Sequence, residues 1–161
     1  MPLLLIGPEP NIKLIKEYSR SPYRNNIHIL SGLDDMNVNI AYSGASVFLF
    51  PSLAEGFGWP IAEAMASGCP VITTNEAPMN EVAGKSGFYI SRRPFNEESI
   101  KSWKDQAAKV IKEVIELSSE KRKAVIEAGF QNANRFNSKK TLDRIEVIYK
   151  EMIKKQDKII Q

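Results

Sequence analysis

The sequence contains one cysteine, Cys69, and one histidine, His28. A single thiol excludes an intrachain disulfide frame, and the pair is too few for a cysteine-rich metal centre. Cys69 stands in the apolar run Gly68–Ile72, where a lone cysteine serves as a small core residue. A reducing, cytoplasmic compartment is the expectation that follows. His28 lies inside Ile27–Leu30 and reads as a half-buried strand residue, not a base. Long apolar runs are also absent. Leu3–Ile6 is too short for a membrane span or a signal-peptide core.

Positive charge is scarce at the start, since no Lys or Arg precedes Lys13. Residues 1–118 carry 11 Lys and Arg against 13 Asp and Glu, or −2. Residues 119–161 carry 11 against 6, or +5, and the two give the overall +3. Such a basic C-terminal region reads first as a solvated helix face with mixed signs. Peripheral contact with the inner face of an anionic membrane is the partner it would otherwise suit, and nucleic acid is not expected.

What the chain does have is enough apolar residue, 43% of 161, for an ordinary core. The organisation expected is one domain over 1–161, with a strand/helix core at 1–95 and C-terminal helices at 96–161. Leu3–Ile6, Ile27–Leu30, Val47–Phe50, Pro70–Thr73 and Phe88–Ile90 are short apolar runs closed by turn residues, and they predict strands. Helices are predicted near 11–19, 34–43, 60–67 and 80–83. Alternation of this kind predicts an α/β fold, a Rossmann-like parallel sheet with helices on both faces. Beyond Pro94 only helical spacing remains. Ile100, Trp103, Ala107, Val110, Ile111 and Val114 form one stripe, and Leu142, Ile145, Tyr149 and Met152 form another. Trp103 and Tyr149 read as core anchors. Ser119 and Ser138 are suited to cap helices, and Gly129 to interrupt or end one.

Ligands of open parallel sheets bind beyond the carboxyl ends of the strands. The loop after Val47–Phe50 reads Pro51-Ser-Leu-Ala-Glu-Gly-Phe-Gly-Trp-Pro60. Two glycines there would let backbone approach a ligand, and Pro60 suits the first position of a helix. The free N–H groups of that helix would favour phosphate or hydroxyl-rich ligands. Glu55 and Glu63 flank the helix start, with Glu63 placed in the first turn. Both carboxylates are natural partners of sugar hydroxyls, while Ile61, Ala62, Met65 and Ala66 would pack against the sheet. Taken by type alone, these residues leave ligand binding and simple helix-start chemistry equally open.

The longer pattern Pro51-Ser52-x-x-Glu55-Gly-Phe-Gly-x-Pro60-x-x-Glu63-Ala-Met-Ala-x-Gly68-x-Pro70-Val-Ile72 resembles the signature of GT-B retaining glycosyltransferases of the family 4 type. The resemblance extends to Leu4–Gly7, Ile27–Gly32, Asn75–Gly84, Gly87–Ile90 and Arg135–Ser138, nearly the whole chain. It implies the second, donor-binding half of a GT-B architecture. By that resemblance Glu63 binds the ribose hydroxyls of a nucleoside-diphosphate sugar. Glu55, the expected catalytic carboxylate, and the backbone of Gly56, Phe57 and Gly58 face the donor hexose and its phosphates. Gly32 and Leu33 lie near the nucleobase. Glu81 is either a sugar-side residue or a helix-start acid, and Ser52 a loop-shaping contact. No metal and no cofactor beyond the donor substrate is implied.

Two parts of the family pattern have no counterpart here. The acceptor domain is one, and it is the partner such a chain would require. The other is an opening strand and loop with an Arg and a Lys for the donor pyrophosphate. Met1 would then be an internal methionine of a longer protein, or a chosen or misread start. Leu3–Ile6 and Val47–Phe50 should either close up as neighbours or leave a gap for other sequence. Losing two charge-assisted phosphate contacts at roughly 1.5–3 kcal/mol each would weaken donor binding by orders of magnitude. The chain alone is expected to be inactive. Two other functions fit the same sheet: a GT-B nucleotide-sugar epimerase, against which the Glu55-x7-Glu63 signature argues, and a non-catalytic remnant binding a partner through its basic helices.

Overall fold

The structure, a computed structural model, describes residues 1–157. Among the described residues there are five strands: β1 (Leu3–Ile6), β2 (Ile27–Leu30), β3 (Phe48–Phe50), β4 (Val71–Thr74) and β5 (Phe88–Ile90). Between them lie α1 (Ile12–Arg20), α2 (Asp35–Gly44), α3 (Trp59–Ala66) and α4 (Met79–Ala83), and after them α5 (Glu97–Ile115), α6 (Ser119–Ala133) and α7 (Ser138–Asp157). All the pairings are parallel, as strand–helix alternation requires.

The strands form two sheets, β1-β2 and β3-β4-β5. β1 pairs with β2 in the register Leu3 to Ile27, and not with β3. The closing-up of the first and third strands does not occur.

The three-stranded sheet is covered on both faces. Val71 of β4 joins a core of Tyr42, Ile61, Ala62, Ala64, Met65, Met79, Val82 and Ala83, with Phe48, Phe50 and Tyr89 against it. Its neighbour Ile72 joins Ile90, Ala107 and Val114 in a second core with Val47, Phe88 and Trp103. This is the period-2 alternation of strand side chains, with α2, α3 and α4 on one face and α5 on the other. α6 packs on α3, where Gly129 lies within 3.7 Å of Met65 through its missing Cβ. Gly129 sits buried inside α6 and neither interrupts nor ends it, and a Cβ there would meet Met65 only in ordinary contact, so the packing does not demand a glycine.

The N-terminal pair differs. No residue before Tyr42 is buried, and Leu3, Leu4, Ile6, Ile12 and Ile15 are exposed. Cover on both faces thus holds for β3–β5 only, because one β-α-β unit has too few apolar neighbours to form a core. His28 is exposed, not half-buried, since β2 alternates between half-buried and exposed positions.

The caps shift by a residue from expectation. Ser118, whose hydroxyl accepts from the Lys121 amide, caps α6 in place of Ser119. Asn137 accepts from Lys140 N–H at 3.2 Å and does the work assigned to Ser138. Trp103 is half-buried and donates its indole N–H to the Ser91 carbonyl at 2.7 Å. Tyr149 is no core anchor. With Leu142, Ile145 and Met152 it forms an exposed stripe along α7. Arg122 fastens α6 to α5 and to the connection before β3 by donating to the carbonyls of Val114 (2.8 Å) and Ser46 (2.7 Å).

Candidate functional site

The carboxyl ends of β3, β4 and β5 open onto the loops 51–58, 75–78 and 91–96. The first runs directly into α3. Its hinge is Gly58, whose φ of 97° is a left-handed conformation that a side chain resists. A Cβ there would also meet Ile61 Cδ1 at 3.3 Å. Gly58 occupies the N-cap without a side-chain hydrogen bond, and Pro60 is the second residue of α3, one later than expected. Gly56, by contrast, has open space around it and no positive φ. Nothing within the chain demands a glycine there.

Glu55 is exposed, and Ser52 Oγ donates to its Oε1 at 2.7 Å. The Ser52 carbonyl accepts in turn from the Thr74 hydroxyl at 2.8 Å. Phe57 turns inward. Its ring lies 4.6 Å from Trp59 and meets Phe136 edge-on, so its side chain belongs to the core. Glu63 is exposed on α3, but the helix starts at Trp59, which puts this carboxylate one turn in and not in the first turn. Ala66 is exposed, while Ile61, Ala62, Ala64 and Met65 pack as the helix period requires.

Beneath Glu63 the buried phenol of Tyr42 is pushed up to about 12, first by burial and then by the Glu63 carboxylate and Cys69. Burial likewise raises the Cys69 thiol to about 11.

Ser52, Glu55, Gly56, Phe57 and Gly58 thus share one loop that continues into the helix of Glu63. The remaining expected site residues stand apart from it. Gly32, with φ 68°, and Leu33 follow β2 in the other sheet. Glu81 is exposed in α4, which packs on α3, and it makes no hydrogen bond to the loop. An open groove on α2 lined by Met36, Asn39, Ile40, Ser43 and Gly44 shares no residue with the loop.

Three further polar groups have no motif in the sequence to mark them. Thr74 is fully buried. Asn80 has a buried Oδ1 with no partner. Glu9, after β1, accepts from Ser31 Oγ at 2.6 Å. Thr74 and Glu9 stand just past predicted strands, while Asn80 lies within α4. Among the described residues no group of three or more His, Cys, Asp or Glu is placed to hold a metal. Nor is any helix long and apolar enough to cross a membrane.

A glycine-hinged loop thus follows a parallel strand, with one exposed carboxylate in the loop and a second one turn into the next helix. The family model "Glycosyl transferases group 1" matches residues 1–132, and the chain belongs to that family. The capsular polysaccharide biosynthesis glycosyltransferase CapM of Staphylococcus aureus is 30% identical over 156 residues, 96% of this chain and 34% of that protein. An MMP alpha-(1->4)-mannosyltransferase of Mycolicibacterium hassiacum is 40% identical over 78 residues, 48% of this chain and 18% of that one. Among solved structures, the pneumococcal O-GlcNAc transferase GtfA in complex with UDP and GlcNAc superposes with a TM-score of 0.74 at 23% identity, over 95% of this chain and 30% of that chain. The fold is accordingly the α/β fold of GT-B glycosyltransferases. The chain spans about a third or less of the length of these proteins.

Proposed function

We propose that this chain forms the donor-binding part of a glycosyltransferase that moves a hexose from a nucleoside-diphosphate sugar to a hydroxyl of a sugar, lipid or glycan, with retention at the anomeric carbon. The observation that carries this reading is the continuous path from Glu55, fixed by Ser52, through the Gly58 hinge to Glu63 on α3. Glu63 takes the ribose hydroxyls through charge-assisted hydrogen bonds. Glu55 and the backbone of Gly56, Phe57 and Gly58 face the hexose and the diphosphate. The open surroundings of Gly56 support this part, because a side chain there would intrude on the ligand and not on the protein. Gly32 and Leu33 lie on the nucleobase side, and Glu81 on the sugar side. The uncapped start of α3 stabilises the departing diphosphate through its dipole. Mannose is the hexose to test first, given the mannosyltransferase of M. hassiacum.

The acceptor is met by a second domain, and the isolated chain binds its donor weakly without turnover. Calorimetric titration of the chain with GDP-mannose and UDP-glucose tests this. Weak binding of one nucleotide sugar, lost in Glu63→Gln, is the expected result. Micromolar affinity would refute the weak-binding claim, and binding indifferent to Glu63 would refute the site.

A further inference from the structure

The β3-β4 ladder ends at the pair Phe50–Thr73. One residue on, Thr74 is the last residue of β4, and Ser52 lies two residues beyond the end of β3. The loop that carries Glu55 leaves the sheet there, and no main-chain hydrogen bond joins Ser52 to β4. What reaches it is a side chain. Thr74 is 1% exposed, and its hydroxyl donates to the Ser52 carbonyl at 2.8 Å. A buried hydroxyl costs free energy unless it is used, and valine would fill the same strand position without that cost. Ser52 then donates from its own hydroxyl to Glu55 Oε1 at 2.7 Å, in preference to the Ala54 carbonyl at 3.1 Å. A carboxylate acceptor at the shorter distance is the stronger of the two.

We propose that Thr74 is a positioning residue: through Ser52 it holds the Glu55 carboxylate at the place where a donor hexose would meet it. This rests on the reading of Glu55 as a sugar-facing group. Thr73 supplies an internal comparison. It too is fully buried and donates its hydroxyl to a β3 carbonyl, that of Phe50 at 2.9 Å. Phe50, however, lies within the ladder and is fixed without that bond. Two adjacent threonines thus make the same kind of hydrogen bond, but only one of them holds a group that nothing else holds.

The test uses the full chain and the variants Thr74→Val, Thr74→Ser and Thr73→Val. In the absence of ligand, nitrogen-15 relaxation reports backbone order at Glu55 and Gly56. Thr74→Val should lower the order parameters there from about 0.85 toward 0.6. Thr74→Ser and Thr73→Val should leave them in place. NMR titrations with GDP, GDP-mannose, UDP and UDP-glucose then give the increment that the hexose adds to nucleotide affinity. Thr74→Val should cut that increment about tenfold, as for one charge-assisted contact misplaced. Its affinity for the nucleotide alone should be unchanged, and Thr74→Ser should restore the increment. Unchanged order in Thr74→Val, or equal loss in Thr73→Val, overturns the positioning role alone. No hexose increment in the unaltered chain overturns the reading of Glu55, and the positioning role with it.

Discussion

Phe57 and Phe136 meet edge to face, with ring centroids 5.4 Å apart and planes at 90°. Phe57 comes from the glycine-flanked loop and Phe136 from the turn after α6, so this one contact ties the candidate site to the C-terminal helices. The Arg135 guanidinium lies over the Phe136 ring at 5.1 Å and also donates to Asn132 Oδ1 at 2.8 Å. Asn132 is buried and donates to the Val82 carbonyl at 2.8 Å. Phe57 is thereby held through Phe136, Arg135 and Asn132 to α4.

Replacing Phe136 by leucine keeps apolar volume and removes the edge-to-face geometry. An aromatic pair of this kind contributes about 0.5–1.5 kcal/mol beyond its buried area. Phe136→Leu should therefore lower unfolding free energy by about that amount in urea titrations. Phe57→Leu should cost a similar amount, and the double variant less than the sum. Strict additivity would show that the rings do not support each other.

Gly68 follows α3 with φ 77°, and a Cβ on it would lie 3.2 Å from Phe130 Cζ. Two costs are combined here, a backbone cost and a contact with the end of a half-exposed ring. The ring can yield, while the left-handed backbone costs a non-glycine residue roughly 1–2 kcal/mol. Gly68→Ala should destabilise by about that much, and adding Phe130→Leu should recover little of it. Substantial recovery in chemical denaturation would show that the contact, not the backbone, sets the requirement.

Strands and their order along the chain were legible because apolar runs closed by turn residues have few other solutions. Phe88–Ile90 and Leu3–Ile6 match to the residue. Pairing between sheets was not, since β1 and β3 give no sequence sign of whether they meet. Burial at the N-terminal end was also hidden. Ile12 and Ile15 have helical spacing, but spacing does not supply a surface to pack against. In the candidate site, the loop position of Glu55 was legible from its pattern with the glycines, while the first-turn position expected for Glu63 was not the one α3 gives it. Thr74 was not, because Val-Ile-Thr-Thr reads as an ordinary strand and only coordinates show which carbonyl its hydroxyl reaches. Phe57 was half legible. Its glycine neighbours marked the backbone, while its side chain needed Phe136, 79 residues later, to explain it.

Glu63 faces two measurable neighbours, a nucleotide ribose in the proposed function and Tyr42 in the structure. Because the carboxylate helps hold the Tyr42 phenol up at about 12, Glu63→Gln should bring that value down, yet leave it above 10.0 because burial is the larger cause. The same variant should lose about 10- to 100-fold in affinity for a ribonucleoside diphosphate, the loss of charge-assisted bonds to hydroxyls. For a 2′,3′-dideoxy analogue, wild type and variant should bind alike. Ultraviolet titration of tyrosine and competition with the dideoxy nucleotide check the two halves separately. A dideoxy analogue that binds the wild type as well as the ribonucleotide would remove the ribose role and leave the Tyr42 effect standing.

Cys69 connects the core to alkaline stability. Its thiol is buried, donates to the Ala45 carbonyl at 3.7 Å, and is raised from 9.0 to about 11, mainly by burial. The Phe48 amide and the Arg122 charge oppose that rise without cancelling it. The unfolded chain releases this proton above 9.0, whereas the folded chain keeps it until about 11. In that window the unfolded state carries fewer protons, so stability falls as pH rises. Below 9.0 the thiol is neutral in both states and contributes no pH dependence. Cys69→Ala should accordingly flatten the decline between pH 9 and 11, although Tyr42 sustains a further decline as pH rises from 10.0 toward 12. Near neutral pH the variant should instead be less stable, because a packed sulfur has been removed. Denaturant titrations at several pH values check the slope. Folded wild-type protein should also resist thiol reagents near neutral pH until it unfolds, and rapid labelling there would place Cys69 outside the core.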